Sequence, residues 1–170
     1  MNVYTRNGDN GQTTGYDGND YDKDDLSIEI VGTLDEFLAS LDEAIVELSE
    51  PETEHLNDVQ DTLWQTAGEI SLGEPGKNID DAIQDEDVQT LEDGIDEYNP
   101  GLSQFVRYRT EAGVRLNRAR VECRRLERRL TPAMREERLR PVIYEYINRL
   151  SDFLYVLACS SEERLRTQSD

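Results

Sequence analysis

Histidine is nearly absent from this chain of 170 residues, which contains one, His55. His55 closes a Glu-x-x-His motif that begins at Glu52. A di-iron helical bundle requires that motif on two helices, so a second histidine would be needed. The sequence therefore argues against a ferritin-like metal centre and predicts no metal-binding residues. We expect His55 to be a surface residue at the start of a helix.

Cysteine and long apolar runs are also scarce. Cys123 and Cys159 each lie on an apolar stretch, and two buried free thiols are expected, with a disulfide between them as the alternative. No apolar run approaches the length of a membrane span, and residues 1–9 have no signal-peptide core. We therefore expect a soluble, cytoplasmic protein with no membrane partner.

Lysine is the third scarce residue, represented by Lys23 and Lys77 alone. The chain holds 18 Lys+Arg against 38 Asp+Glu, for a net charge of -20. Such a charge repels nucleic acid, which is excluded as a partner. Abundant acid with little lysine is typical of proteins that work in high salt, so many of these carboxylates should be solvated surface groups.

Apolar residues recur at 3–4 spacing in five segments, which predicts five helices. At this length one domain is expected, and long amphipathic helices with short connections favour an all-α up-down bundle. The predicted domain comprises an N-terminal nucleotide-binding loop at 1–26, the bundle at 27–164 and a tail at 165–170. The predicted helices cover 27–49, 53–72, 85–98, 111–131, and from 135 or 141 to 164.

Basic residues are concentrated in the second half of the chain. Residues 1–102 hold 28 acids and three bases, whereas residues 103–170 hold ten acids and 15 bases. Arg120, Arg124 and Arg128 are four apart on one helical face, with Glu127 beside them. Because like charges at this spacing repel one another, they indicate an anionic partner such as a polyphosphate.

Three further segments allow two interpretations each. The loop from Tyr4 to Thr14, rich in glycine and hydroxyl groups, is either a phosphate-binding loop or a flexible acidic tail. Gly32 inside the first helix indicates close packing or ligand approach, and Asp35 beside it either pairs with a distant arginine or is solvated. Asn148 and Asp152 are either surface residues or two buried hydrogen-bonding groups.

Taken together, these segments resemble the PduO-type ATP:cob(I)alamin adenosyltransferase family. The opening from Tyr4 to Gly11 looks like the first family block. The later blocks are Lys23-Asp24-Asp25 with Gly32 to Glu36, Arg120 to Arg128, and Asn148 to Ala158. They follow the family order and cover nearly the whole chain.

The resemblance implies a homotrimer of five-helix bundles with an active site between neighbouring subunits. ATP, with Mg²⁺, would donate its 5′-deoxyadenosyl group to the cobalt of cob(I)alamin, giving adenosylcobalamin and triphosphate. A flavoprotein reductase and a cobalamin-dependent enzyme are possible further partners.

The resemblance also implies individual roles. Asp35 would pair with Arg120 across the subunit interface, Arg124 would act with them in catalysis, and Phe105 would help to expel the lower axial ligand of the corrin. The implied nucleotide-binding residues are Thr5, Arg6, Gly8, Asp9, Gly11, Thr13, Thr14, Lys23, Arg120, Arg124, Glu127, Arg128, Asn148 and Asp152.

Several positions depart from the family pattern. The Pro-Gly-Gly that usually follows the phenylalanine is absent, because Phe105 is followed by the segment from Val106 to Glu111. Asn117 stands where the family often has histidine. Both changes fall at positions on the corrinoid-binding side of the site, whereas the positions on the ATP-binding side match the family pattern better. The alternative function is therefore a non-catalytic ATP- or corrinoid-binding relative that delivers or senses the cofactor.

Overall fold

The computed structural model describes residues 4, 6, 8–15, 17–72, 83–101 and 106–168. Five helices account for most of this part of the chain, and the predicted all-α five-helix bundle is confirmed. The helices are α1 (Leu26–Ile45), α2 (Glu52–Leu72), α3 (Asp85–Tyr98), α4 (Glu111–Arg135) and α5 (Pro141–Gln168).

The N-terminal segment forms a small hairpin, which the sequence did not predict. Strand β1 (Gln12–Thr14) pairs antiparallel with β2 (Asp20–Asp22). The turn between them contains Gly18 with φ of 81°, a region that glycine enters without steric cost. Asp17 accepts hydrogen bonds from Asn19 and Tyr21. The bonds from Asn19, and then that from Tyr21, lower the pKa of its carboxyl group.

Three helix ends differ from the sequence prediction. Helix α1 ends at Ile45 rather than 49, because the backbone N–H groups of Glu47 and Leu48 form turn bonds to residues three positions earlier. Helix α4 continues through Pro132 to Arg135, where Ala133 is buried in the core. Helix α5 runs through Gln168, past the predicted end at 164.

The core lies where α1, α4 and α5 pack together. Helix α1 packs on α2 and α4, α4 on α5, and α5 on α3. The interior is filled mainly by leucine and isoleucine, including Leu34, Leu41, Leu126 and Ile147. Burial of these side chains is the main stabilising contribution. Cys123 and Cys159 are both buried and are not joined by a disulfide, which confirms the expectation of two free thiols.

His55 is not the surface residue that the sequence predicted. It is half-buried, and its Nδ1 lies 3.2 Å from the hydroxyl oxygen of Tyr98 on α3. Its ring also meets those of Tyr98 and Phe153 edge-on. Tertiary packing brings the start of α2 against the end of α3, a contact between residues 43 positions apart.

No helix in the described part of the chain is both long and apolar enough to cross a membrane.

Candidate functional site

Helix α4 carries two arginine faces, and the first is paired with α1. Four arginines of α4 form salt bridges in antiparallel order, three to glutamates of α1 and one to Glu47 in the turn that follows it, at N···O distances between 2.7 and 3.4 Å. These contacts join two adjacent helices along most of their length. The pairs are Arg115–Glu47, Arg118–Glu43, Arg125–Glu36 and Arg129–Glu29.

The second face carries Arg120, Arg124 and Arg128, and it differs electrostatically from the first. Arg120 donates from Nε to Oδ1 of Asn117 at 3.1 Å. The carboxylate nearest to Arg124 is that of Glu127 on the same helix, 3.9 Å away. Within the described residues, none of the three pairs with a carboxylate from another helix. These guanidinium groups therefore remain available to an anion.

Glu127 links this arginine face to α5. Asn148 donates from Nδ2 to Oε1 of Glu127 at 3.0 Å, and the Glu127 side chain is only 15% exposed. Asn148 is thus a partly buried hydrogen-bonding group, which agrees with the second of its two interpretations and not with a surface position. Asp152 is different: its side chain is 53% exposed and its ionic contact is to Arg149, at 3.5 Å. It lies on the surface.

The N-terminal loop brings several predicted phosphate-binding residues together. Nζ of Lys23 donates to the carbonyl of Gly8 at 2.8 Å, and its backbone N–H donates to the carbonyl of Gly11 at 2.9 Å. Thr14 donates from Oγ1 to Asp20. Arg6 and Asp9 are exposed on the same loop. Thr5 and Phe105 lie outside the described residues.

A concavity of about 380 Å³ lies between this loop and α1. Gly32 opens onto it, and a Cβ added there would meet no atom of the described chain within 4 Å. Close packing within the described part of the chain therefore does not account for Gly32, and the open space allows the approach of a ligand or of another chain. The lining residues are Thr13, Lys23, Ile28, Glu29, Gly32, Thr33, Glu36 and Arg125.

Arg125 and its partner Glu36 were missed by sequence reasoning. A signal was present, because Glu29, Glu36 and Glu43 are seven apart on α1, as are Arg118 and Arg125 on α4. Complementary charges at matching intervals indicate two helices in contact.

The candidate residues thus form two groups. In the loop group, Thr13 and Lys23 line the concavity on α1, and Gly8 accepts a hydrogen bond from Lys23. The α4–α5 group, with Arg120, Arg124, Glu127 and Asn148, does not line that concavity. Asp35 is exposed and forms no ion pair among the residues that the structure describes. A single chain therefore presents two incomplete polar surfaces rather than one enclosed site.

Residues 3–161 match the family model for cobalamin adenosyltransferase. The chain belongs to the cobalamin adenosyltransferase family. A corrinoid adenosyltransferase of Citrobacter freundii is 36% identical, with 92% of each sequence covered. That of Bacillus subtilis is 34% identical, covering 93% of this chain and 85% of the relative.

Solved structures of variant PduO-type ATP:corrinoid adenosyltransferases from Lactobacillus reuteri have the same fold. One, complexed with ATP, is 26% identical with a TM-score of 0.83, and covers 95% of this chain and 96% of its own. Another, complexed with cobalamin and ATP, is 25% identical with a TM-score of 0.82, and covers 94% of this chain and 93% of its own.

In this family member, Glu162 of α5 anchors the segment that replaces Pro-Gly-Gly. Its Oε1 accepts from the backbone N–H groups of Arg109 and Thr110, both at 2.7 Å, and from the Thr110 hydroxyl at 2.8 Å. The Thr110 hydroxyl oxygen in turn accepts from the N–H of Gly113 and caps α4. Nothing in the sequence indicated this role for Glu162.

A second contact holds the same segment. The hydroxyl of Tyr108 lies 3.9 Å from Sγ of Cys159. Burial raises the pKa of both the phenol and the thiol, so both stay neutral near pH 7. The segment is thus fixed to α5 without glycine or proline.

Proposed function

We propose that this chain catalyses ATP:corrinoid adenosyl transfer, moving the 5′-deoxyadenosyl group of ATP to the cobalt of a reduced corrinoid. The observation that carries the proposal is the divided arginine surface of α4. Four arginines pair with glutamates of α1 or of the turn that follows it, whereas Arg120, Arg124 and Arg128 do not pair with that part of the chain. The family match and the related structure complexed with ATP support the triphosphate of ATP as the anion that these three arginines bind.

Atoms and charge balance without an acid–base pair. The cobalt of the Co(I) corrinoid supplies the electron pair that forms the cobalt–carbon bond at C5′. The bond from C5′ to the triphosphate oxygen breaks, and triphosphate leaves with the electrons. The protein must therefore align two substrates and stabilise negative charge on the leaving group. Arg120 and Arg124 are proposed to bind that group, because guanidinium pairs with phosphate in bidentate fashion.

We place the complete site between subunits of a homotrimer. The loop group of one chain and the α4–α5 group of its neighbour would enclose ATP and its Mg²⁺. Asp35, which has no ion pair in the described part of its own chain, would pair with Arg120 of the adjacent subunit. Most acids lie in residues 1–102 and most bases in residues 103–170, so contact between the first part of one chain and the second part of its neighbour would bring opposite charges together.

The corrinoid would bind near the segment that Glu162 anchors. Phe105 precedes that segment in the sequence, and it is the candidate for displacing the lower axial ligand and so easing reduction to Co(I). A flavoprotein reductase would supply the electron, and a cobalamin-dependent enzyme would receive the product. We place the protein in the cytoplasm of a cell with high internal salt.

A spectroscopic assay tests the proposal. Chemically reduced cob(I)alamin is mixed anaerobically with ATP and protein in molar salt, and the absorbance is followed as the cobalt–carbon bond forms. Stoichiometric adenosylcobalamin and triphosphate are expected. ATP binding without either product would contradict catalysis and support the delivery or sensing role. Phe105→Ala should slow turnover when cob(II)alamin must be reduced in the assay, while leaving ATP affinity nearly unchanged.

A further inference from the structure

A second cavity, of about 200 Å³, lies between α2 and α3 above α5. Its described lining contains none of the residues assigned above to ATP or corrinoid. The cavity is smaller than the roughly 300–1,000 Å³ of pockets that hold drug-sized ligands. It therefore suits a small molecule, and its lining indicates which kind.

The walls of this cavity are acidic. Asp58 lies on α2, and Asp87, Asp93 and Glu97 lie on α3. Asp87 accepts from the backbone of Gln84, and Asp93 from the side chain of Gln89. No lysine or arginine is among the described lining residues. Negative charge therefore stands on both walls, and His55 is the one basic side chain among the described lining residues.

Tyr146 supplies an independent observation. It is 2% exposed and lines the cavity from α5. No hydrogen bond among the described residues involves its hydroxyl group, and that oxygen is not among the fully buried polar atoms, so it is open to the cavity. Burial and, secondarily, the charges of Asp87 and Asp58 raise the pKa of the phenol, which keeps it neutral. Its hydroxyl can therefore accept a hydrogen bond from a bound donor.

The arrangement distinguishes an organic cation from a metal ion. The described carboxylates do not form a group that could hold a metal ion jointly. The cavity also has apolar lining residues, Val59, Leu91 and Phe153, which a hydrated metal ion would not use. An alkyl chain would bury surface there, while its ammonium groups reach the carboxylates.

We propose that this cavity binds a short aliphatic diamine. One ammonium group lies near Asp58 on the α2 wall and the other near the carboxylates of α3, and the hydrocarbon chain crosses Leu91 and Phe153. The hydroxyl oxygen of Tyr146 accepts a hydrogen bond from one ammonium group. Two charges fit better than one, because the acids stand on both walls.

Calorimetric titration of the full chain with diaminobutane, in molar potassium chloride, tests this assignment. High salt screens general attraction to a protein of net charge -20. Saturable binding of one diamine per chain is expected. Tyr146→Phe and Asp58→Asn should each weaken it at least about tenfold, the loss expected for a hydrogen bond to a charged group. Asp96→Asn, an exposed α3 variant with the same charge change outside the cavity lining, should leave it within about twofold.

Several results would overturn the assignment. They are non-saturable binding, an equal loss in the Asp96→Asn variant, or an unchanged affinity in Tyr146→Phe. Displacement of diaminobutane by an equal concentration of magnesium chloride would show that the cavity recognises charge alone. ATP affinity, measured in parallel, checks that each variant remains native, because no substituted residue belongs to the proposed ATP site.

Discussion

Replacing Arg124 and Arg129 separately by alanine distinguishes a ligand-binding arginine from a structural one. The two side chains are similarly exposed, at 47% and 48%, and lie on different faces of α4. Arg124 contacts Glu127 on its own helix at 3.9 Å, whereas Arg129 contacts Glu29 of α1 at 3.1 Å. They therefore form a matched pair of equal charge change.

The expected effects are opposite. Arg124→Ala loses at most about 0.5 kcal/mol of folding stability, because its ion pair is long, exposed and local. It should lose about 1.5–3 kcal/mol of ATP binding, the value of hydrogen bonds to a charged group, which weakens affinity roughly 10- to 150-fold. Arg129→Ala should lose about 0.2–1 kcal/mol of stability, because it breaks an interhelical pair, with ATP affinity unchanged.

ATP dissociation constants from calorimetry and free energies from urea unfolding, both in molar salt, measure the two effects. Arg124→Lys should restore only part of the affinity, because an ammonium group cannot form the bidentate fork. Equal losses of affinity in both alanine variants would refute the division of α4 into two faces. So would a normal affinity in Arg124→Ala.

Further outcomes follow from other positions. Gly32→Ala should raise the free energy of unfolding by up to about 1 kcal/mol, because alanine has a higher helix propensity than glycine and its Cβ would meet no described atom within 4 Å. The same variant should weaken ATP binding or assembly. Unchanged binding and assembly would show that the concavity is not part of the site. Glu162→Ala should lower the free energy of unfolding by about 2–5 kcal/mol, because two backbone N–H groups lose their acceptor. Glu162→Gln keeps an acceptor oxygen and should retain most of the wild-type stability. Urea unfolding of both variants measures the difference. Light scattering should find a trimer in molar salt. The trimer should dissociate more readily in dilute buffer, because the Debye length rises from about 3 Å toward 30 Å and the acidic chains repel one another over longer distances. A stable monomer in molar salt would contradict the shared site.

The helical bundle could be predicted because its cause is local and periodic. Leucine and isoleucine at 3–4 spacing define a buried face on each helix, and Leu116, Leu126 and Leu130 of α4 all lie in the core. Helix ends were less predictable. Pro132 did not end α4, because packing of Ala133 outweighed the lost backbone bond.

The sequence by itself determined the bundle, the buried free thiols and the arginine periodicity that separates Arg120, Arg124 and Arg128 from their neighbours. These follow from residue type and spacing along one helix. Only the tertiary structure decided which arginines pair with α1 and the turn after it, that Asn148 bonds to Glu127, and that Glu162 holds the segment before α4. Each depends on a contact between residues 21 or more positions apart, so its partner is chosen by how the helices pack rather than by local pattern.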